Sequence, residues 1–107
     1  MSRLKMMGII TNRDVTDKIQ NALLPIGVSF FNVSYGKGTA SNDILNVLGI
    51  GESEKSIIFC FVQQENIEKV FSTLKNDFHF DKPASGIAFT VPLSAVGGPA
   101  TLKILTE

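Results

Sequence analysis

The apolar residues of this chain switch between two spacings, and the order of those switches restricts the fold more than any other feature. Leu4 to Ile10 is a short apolar run bounded by Thr11-Asn12-Arg13-Asp14, the length of a strand. Val15, Ile19, Ala22 and Leu23 then recur at i, i+4, i+7 and i+8, which places them on one helical face. Thr11 or Asn12 is positioned to cap that helix, Asp14 suits its positive end, and Pro25 and Gly27 end it. From Val28 to Tyr35 the period falls to two, with Phe31, Val33 and Tyr35 alternating with Phe30, Asn32 and Ser34. Ser56 to Val62 reads as a third strand. Ile67, Val70, Phe71 and Leu74 return to helical spacing, with Glu65 and Glu68 early and Lys75 late, as the helix dipole favours. Gly86 to Val91 is a fourth strand ended by Pro92, and after the Gly97-Gly98-Pro99 turn Thr101 to Leu105 has the pattern of a short fifth one. The order β-α-β-β-α-β predicts an α+β fold, the ferredoxin-like pair of split βαβ halves, with both helices on one face of an antiparallel sheet and a C-terminal extension strand. At 107 residues the chain reads as a single domain spanning 1–107.

Two helices cover one sheet face only. The other face carries residues such as Phe30 or Phe31, Phe59 or Phe61, and Phe89, an apolar area larger than a monomer usually leaves open. The sequence therefore predicts an oligomer that buries this face, for which a sheet-on-sheet trimer and a dimer serve equally well.

Composition removes most chemistry. Ten Lys and Arg balance ten Asp and Glu, so there is no basic surface of the kind nucleic acids require. The third strand also lacks the basic residues that accompany stacking aromatics in RNA-binding sheets. The only cysteine, Cys60, lies inside Ile57-Ile58-Phe59-Cys60-Phe61-Val62 and reads as a core thiol without a cationic neighbour. The only histidine, His79, stands between Asp77 and Asp81 in a polar loop, which is too little for a metal site. No nucleophile motif occurs. Arg13 lies near where an acylphosphatase-like enzyme of this fold would hold its arginine, but the phosphate-cradling glycine loop is missing. The expectation is a protein without catalytic or metal-binding residues and without a covalent cofactor. The N-terminal apolar run is too short for a signal peptide or a membrane span, which predicts a cytoplasmic location.

What remains is glycine. Gly36-Lys37-Gly38-Thr39 follows the second strand, and Ser85-Gly86 precedes the fourth. Small residues let a backbone approach a ligand, and N–H groups in such turns cradle phosphate, with Lys37, Lys82 or Lys103 available to add charge. Tight turns between strands would use the same residues.

The stretch Lys82-Pro83-Ala84-Ser85-Gly86-Ile87-Ala88-Phe89-Thr90-Val91-Pro92-Leu93 resembles the K-P-x-x-G-I-A-F-T-[VI]-P segment of short members of the PII signal-transduction family. Gly36-Lys37-Gly38-Thr39-Ala40-Ser41 resembles the start of that family's T-loop. The resemblance covers nearly the whole chain. It implies a homotrimer with central sheets packed together, adenine nucleotides (ATP, ADP or AMP) bound as effectors in clefts between subunits, and regulation of a partner such as a membrane transporter or metabolic enzyme. By position it implies Gly38 and Thr39 near the phosphates, Ser85 and Gly86 beside the nucleotide, Asn32 toward the base, and Lys103 toward the phosphates, with Gly36 and Lys37 counted in the same nucleotide-binding turn. The chain also departs from the family. Its only tyrosine is Tyr35, so the loop tyrosine that the family modifies is absent, and the segment from Thr39 to Glu54 is short. Ala84 and Ile87 stand for one glycine and a lysine of the strand-four loop, and Lys103 stands for an arginine pair. A charge-assisted phosphate contact is worth roughly 1.5–3 kcal/mol, so these losses favour a ligand with fewer phosphates than ATP. Ile44, Leu45, Val47 and Leu48 are patterned as a brief helix after Ser41 or Asn42, broken by Gly49, and with Ile50 they either pack on their own subunit or a neighbour or serve as an apolar peg for a partner. The alternative reading is a trimeric structural or metal-tolerance-type protein of the same fold without a nucleotide site.

Overall fold

A computed structural model describes residues 4–36, 54–82 and 85–94. Its order is β1 (Leu4–Asn12), α1 (Thr16–Leu23), β2 (Ser29–Gly36), β3 (Lys55–Gln63), α2 (Ile67–Phe78) and β4 (Gly86–Pro92), with single 3-10 turns leading into both helices and out of the first. The strands form one antiparallel sheet in the order β2-β3-β1-β4, the ferredoxin-like arrangement expected from the sequence. The brief helix after Ser41 and the strand at Thr101 to Leu105 lie outside the described residues.

β1 runs two residues further than the apolar pattern suggested. Thr11 and Asn12 continue the ladder opposite Ser56 and Lys55, so neither caps α1. A 3-10 turn at Arg13–Val15 makes the corner instead, and the Thr16 hydroxyl donates to the Arg13 carbonyl across it at 2.8 Å. Thr16, Ile19 and Leu23 form the buried stripe of α1, at i, i+3 and i+7. Gly27 then closes the following turn with φ +97°, where a Cβ would be strained. In α2, Val70 and Leu74 are buried. The helix takes in Phe78 and ends on His79, which adopts left-handed geometry at φ +60° in a place usually given to glycine.

The two sheet faces separate cleanly by residue parity. Met7 and Ile9 of β1 stand opposite Cys60 and Ile58 of β3, and these four meet Ile19, Leu23, Val70 and Leu74 of the helices in one core. Burying a side chain of this size contributes roughly 1.5–3 kcal/mol, so this helix-facing layer is the main source of stability. The opposite face carries three apolar rows across β3, β1 and β4: Phe61-Met6-Val91, Phe59-Gly8-Phe89 and Ile57-Ile10-Ile87. Phe59, Phe89 and Val91 are 37, 39 and 38% exposed, so this face is open within one chain. Both Phe59 and Phe61 lie on it, whereas Phe31 packs against the core.

β2 is not a plain alternating strand. Ser29 pairs with Phe61 and Asn32 with Phe59, so three steps on β2 match two on β3. Phe30 sits in this bulge with φ +58°, a conformation that costs an aromatic residue about 1–2 kcal/mol. The bulge lets Val28, Phe31 and Val33 all pack against the core despite their uneven spacing.

Gly8, at the centre of the open face, is covered by the Phe89 ring, and a Cβ there would come within 2.9 Å of ring carbons. The added side chain must displace the ring from its place on this face, so Gly8→Val should lower stability by about 1–3 kcal/mol, the range of overpacking costs. Urea midpoints should show that cost shrinking in a Phe89→Ala background, since the alanine removes the collision. The Cys60 thiol donates to the Met7 carbonyl, and burial pushes its pKa up to about 12. Thiol labelling at pH 8 should therefore be negligible in the native protein and rapid in urea. The unfolded thiol ionises near pH 9 and the folded one near 12, so Cys60 has no effect on stability below pH 9 and lowers it as pH rises between the two.

Candidate functional site at one end of the sheet

Antiparallel pairing brings four strand ends together. The end of β1 (Thr11, Asn12), the start of β3 (Lys55, Ser56), the end of β2 (Gly36) and the start of β4 (Gly86) share one end of the sheet, because Asn12 and Gly36 both pair with Lys55 and Thr11 pairs with Gly86. The side chains of Thr11, Thr16, Lys55 and Ser56, the buried polar and charged residues of the described structure, all lie there too. A buried polar group must find a partner, and these do. Thr11 Oγ1 donates to the Ser85 carbonyl at 3.1 Å, tying the approach to β4 onto β1. The hydroxyls of Thr16 and Ser56 bond each other, and Lys55 Nζ donates to Asn12 Oδ1. The other end of the core is apolar, so polarity is concentrated where the strand ends meet.

Lys55 is the residue that sequence reasoning missed. The third strand, expected to start at Ser56, starts instead at Lys55, which is 5% exposed. Burial pushes its ammonium below the usual lysine range, and the nearby Asp14 carboxylate pulls in the opposite direction. The phase of Lys55, shared with Ile57, Phe59 and Phe61, marks it as a member of the strand on the outer face, while its burial comes from Asn12 across the sheet. A lysine held at the sheet end, beside the backbone of Gly36, is a cation set against a close-approach residue. Asn12, Arg13, Asp14 and Glu54 line a groove of about 310 Å³ at this end. A second groove, of about 410 Å³ and mostly apolar, runs between α2 and β4 past Phe71, Leu74, Phe80, Gly86 and Ile87.

Of the site residues expected from the sequence, Gly36 and Gly86 lie at this end, and Ser85 adjoins it. They are on opposite edges of the sheet, separated by β3 and β1, which at the usual strand spacing puts Gly36 and Gly86 about 14 Å apart. One chain therefore cannot close both glycines on a single phosphate. Asn32 is exposed on β2 in register with Phe59, four residues and about 13 Å from Gly36. Lys37, Gly38, Thr39 and Lys103 lie outside the described residues. His79 is exposed, and no cluster of metal-ligating side chains occurs among the described residues. No helix among them is long and apolar enough to cross a membrane.

The two glycines differ physically. A Cβ at Gly86 would meet the Phe80 ring at 2.6 Å and the Ile10 carbonyl oxygen at 2.9 Å, so this glycine is required by packing within its own chain. A Cβ at Gly36 would meet nothing within 4 Å. Backbone cannot yield as a side chain can, so Gly86→Ala should cost roughly 1–3 kcal/mol. Gly36→Ala should stay within about 0.5 kcal/mol of the parent. Urea denaturation of the two variants checks the contrast.

No protein-family model matches the chain, and no curated protein matches it in sequence. Solved structures do match it in shape. CPII from Thiomonas intermedia K12, a nitrogen regulatory PII-like protein bound to ADP, AMP and bicarbonate, is similar at TM-score 0.66 and 21% identity, over 90% of this chain and 94% of that one. Arabidopsis thaliana PII bound to citrate is similar at TM-score 0.67 and 21% identity, over 94% of this chain and 86% of that one. A DUF3240 family protein from Shewanella baltica OS155 is similar at TM-score 0.66 and 15% identity, over 92% of this chain and 98% of that one. With the strand order and the split βαβ halves described above, these likenesses establish that the chain has the fold of the PII-like proteins.

Proposed function

We propose that this chain is a small PII-like regulatory protein, not an enzyme, that assembles as a homotrimer and senses an adenine nucleotide at the polar end of its sheet. The observation that carries the reading is the meeting of Gly36, Lys55 and the Ser85–Gly86 turn at one end of a PII-like fold. The open backbone at Gly36 leaves room for a ligand, and Lys55 supplies charge. The separation of the two glycine turns across the sheet favours a cleft formed by Gly36 of one subunit and Ser85–Gly86 of another. Lys37, Gly38, Thr39 and Lys103 belong to the same proposal by their place in the sequence, and Asn32 would face the base. CPII, similar in fold, binds ADP and AMP, which agrees with a ligand poorer in phosphate than ATP.

Assembly follows from the open face. Three rows of apolar side chains, with Phe59 and Phe89 about two-fifths exposed, are an unfavourable surface to leave in water. Packing three such sheets together removes it and brings the edge strands of neighbours toward one another. The nucleotide would then bias a partner-binding surface, for which the apolar residues from Ile44 to Ile50 are the candidate, and a cytoplasmic transporter domain or a metabolic enzyme is the kind of target that fits.

Titration calorimetry with ATP, ADP and AMP, together with light scattering, tests both parts. The expected mass is about three times the 11.6 kDa chain. ADP or AMP should give saturable heat that Gly36→Ala weakens while leaving stability unchanged. A monomer at micromolar protein would remove the assembly. Absence of heat with all three nucleotides at millimolar ligand would remove the nucleotide and leave the structural trimer as the reading.

A further inference from the structure

Arg13 occupies a singular position at the polar end of the sheet. Its guanidinium carbon lies 4.6 Å from the centre of the Tyr35 ring, and its Nη1 is 3.3 Å from Glu54 Oε2. Its backbone N–H donates to the Glu54 carbonyl, also at 3.3 Å. Tyr35 precedes Gly36 and Glu54 precedes Lys55, so Arg13 touches the residue before each member of the Gly36–Lys55 pair.

The arrangement uses an arginine poorly. A guanidinium binds best as a fork, donating from two nitrogens to two oxygens of one carboxylate or phosphate. Here a single nitrogen reaches Glu54, at a long distance, between side chains 37 and 54% exposed. Its Nε–H is shut off from solvent and has no acceptor among the described residues. Exposed single-contact ion pairs are weak, and a buried donor without a partner is unfavourable. The contact with the Tyr35 ring steadies the guanidinium without engaging its N–H donors.

We propose that Arg13 is an anion-binding residue of the nucleotide site and that Glu54 is its internal competitor, a carboxylate standing where a terminal phosphate oxygen of the ligand binds. This rests on the nucleotide reading above and adds a residue to it. Binding exchanges one long contact to Glu54 for a forked contact from the two terminal guanidinium nitrogens to phosphate. The carboxylate sets a threshold: a ligand must offer a better acceptor than Glu54 to displace it, which a phosphate does and a nucleoside does not. Asp14 lines the same groove and adds to that threshold by repulsion.

The experiment measures ADP and adenosine affinities by calorimetry at low salt for the full chain and for Glu54→Gln, Arg13→Gln and the double variant, with circular dichroism checking the fold. Glu54→Gln should tighten ADP about three- to five-fold, the range of one exposed ion pair, and leave adenosine unchanged. Arg13→Gln should weaken ADP, leave adenosine unchanged and abolish the gain from Glu54→Gln. Should Arg13→Gln fail to fold, Arg13→Lys keeps the charge, loses the fork and should lose most of that gain. ADP binding first detected in Glu54→Gln would also support the competitor. A gain that persists without Arg13, or a loss that falls equally on adenosine, would overturn the proposal, as would ADP binding that ignores both residues, and in that last case the nucleotide reading stands. No ADP binding to any of the four proteins would bring down both.

Discussion

The register of β1 against its two neighbours is the constraint on which the rest depends. β1 is hydrogen-bonded on both edges over nearly its whole length, to β3 on one side and β4 on the other. Antiparallel pairing makes each residue of β1 choose partners on both sides at once. Met7 and Ile9 set Cys60, Ile58, Thr90 and Ala88 toward the helices, and Met6, Gly8 and Ile10 set the three aromatic and aliphatic rows on the opposite face. A one-residue slip would exchange those faces. The same register decides that Thr11 and Asn12 end up beside Ser56, Lys55 and Gly86, so the core and the candidate site are consequences of one alignment.

Much of this was legible in the chain because two periodicities alternate without overlap. The helical spacing of Val15 to Leu23 and of Ile67 to Leu74, and the apolar strands around them, are enough to write the order and hence the topology. What was not legible depends on partners distant in sequence. Lys55 looks like part of a charged turn until Asn12 arrives across the sheet to bind it. Thr11 and Asn12 look like helix caps until β3 extends β1 past the apolar run. The bulge at Phe30 has no local marker, since glycine is the usual tenant of that conformation and phenylalanine occupies it. At the site, Gly36 and Gly86 were visible as punctuation, but only the structure separates the one that packing demands from the one that faces open space.

The interior of the sheet end shows how a chain poor in reactive residues still builds a fixed polar frame. Thr11, Thr16 and Ser56 use their hydroxyls to hold backbone and one another, and Lys55 is held by an amide oxygen. A satisfied polar network is rigid, because each member is costly to leave unpaired. Arg13, Glu54 and Tyr35 surround this fixed frame with contacts that are weaker and closer to solvent. The contrast places adjustable electrostatics on a stiff support.

The bulge in β2 has a meaning for chain length. Because Phe30 is one residue more than β3 requires between Ser29 and Asn32, its deletion would leave Ser29 opposite Phe61 and Asn32 opposite Phe59, in an unbroken ladder. A deletion between Val33 and Gly36 has no such reserve, and every later residue would change face. β2 is thus tolerant of the loss of one residue at the end where it leaves α1 and intolerant at the end where it reaches Lys55. Related chains can omit one residue at the first place and must keep a fixed count at the second.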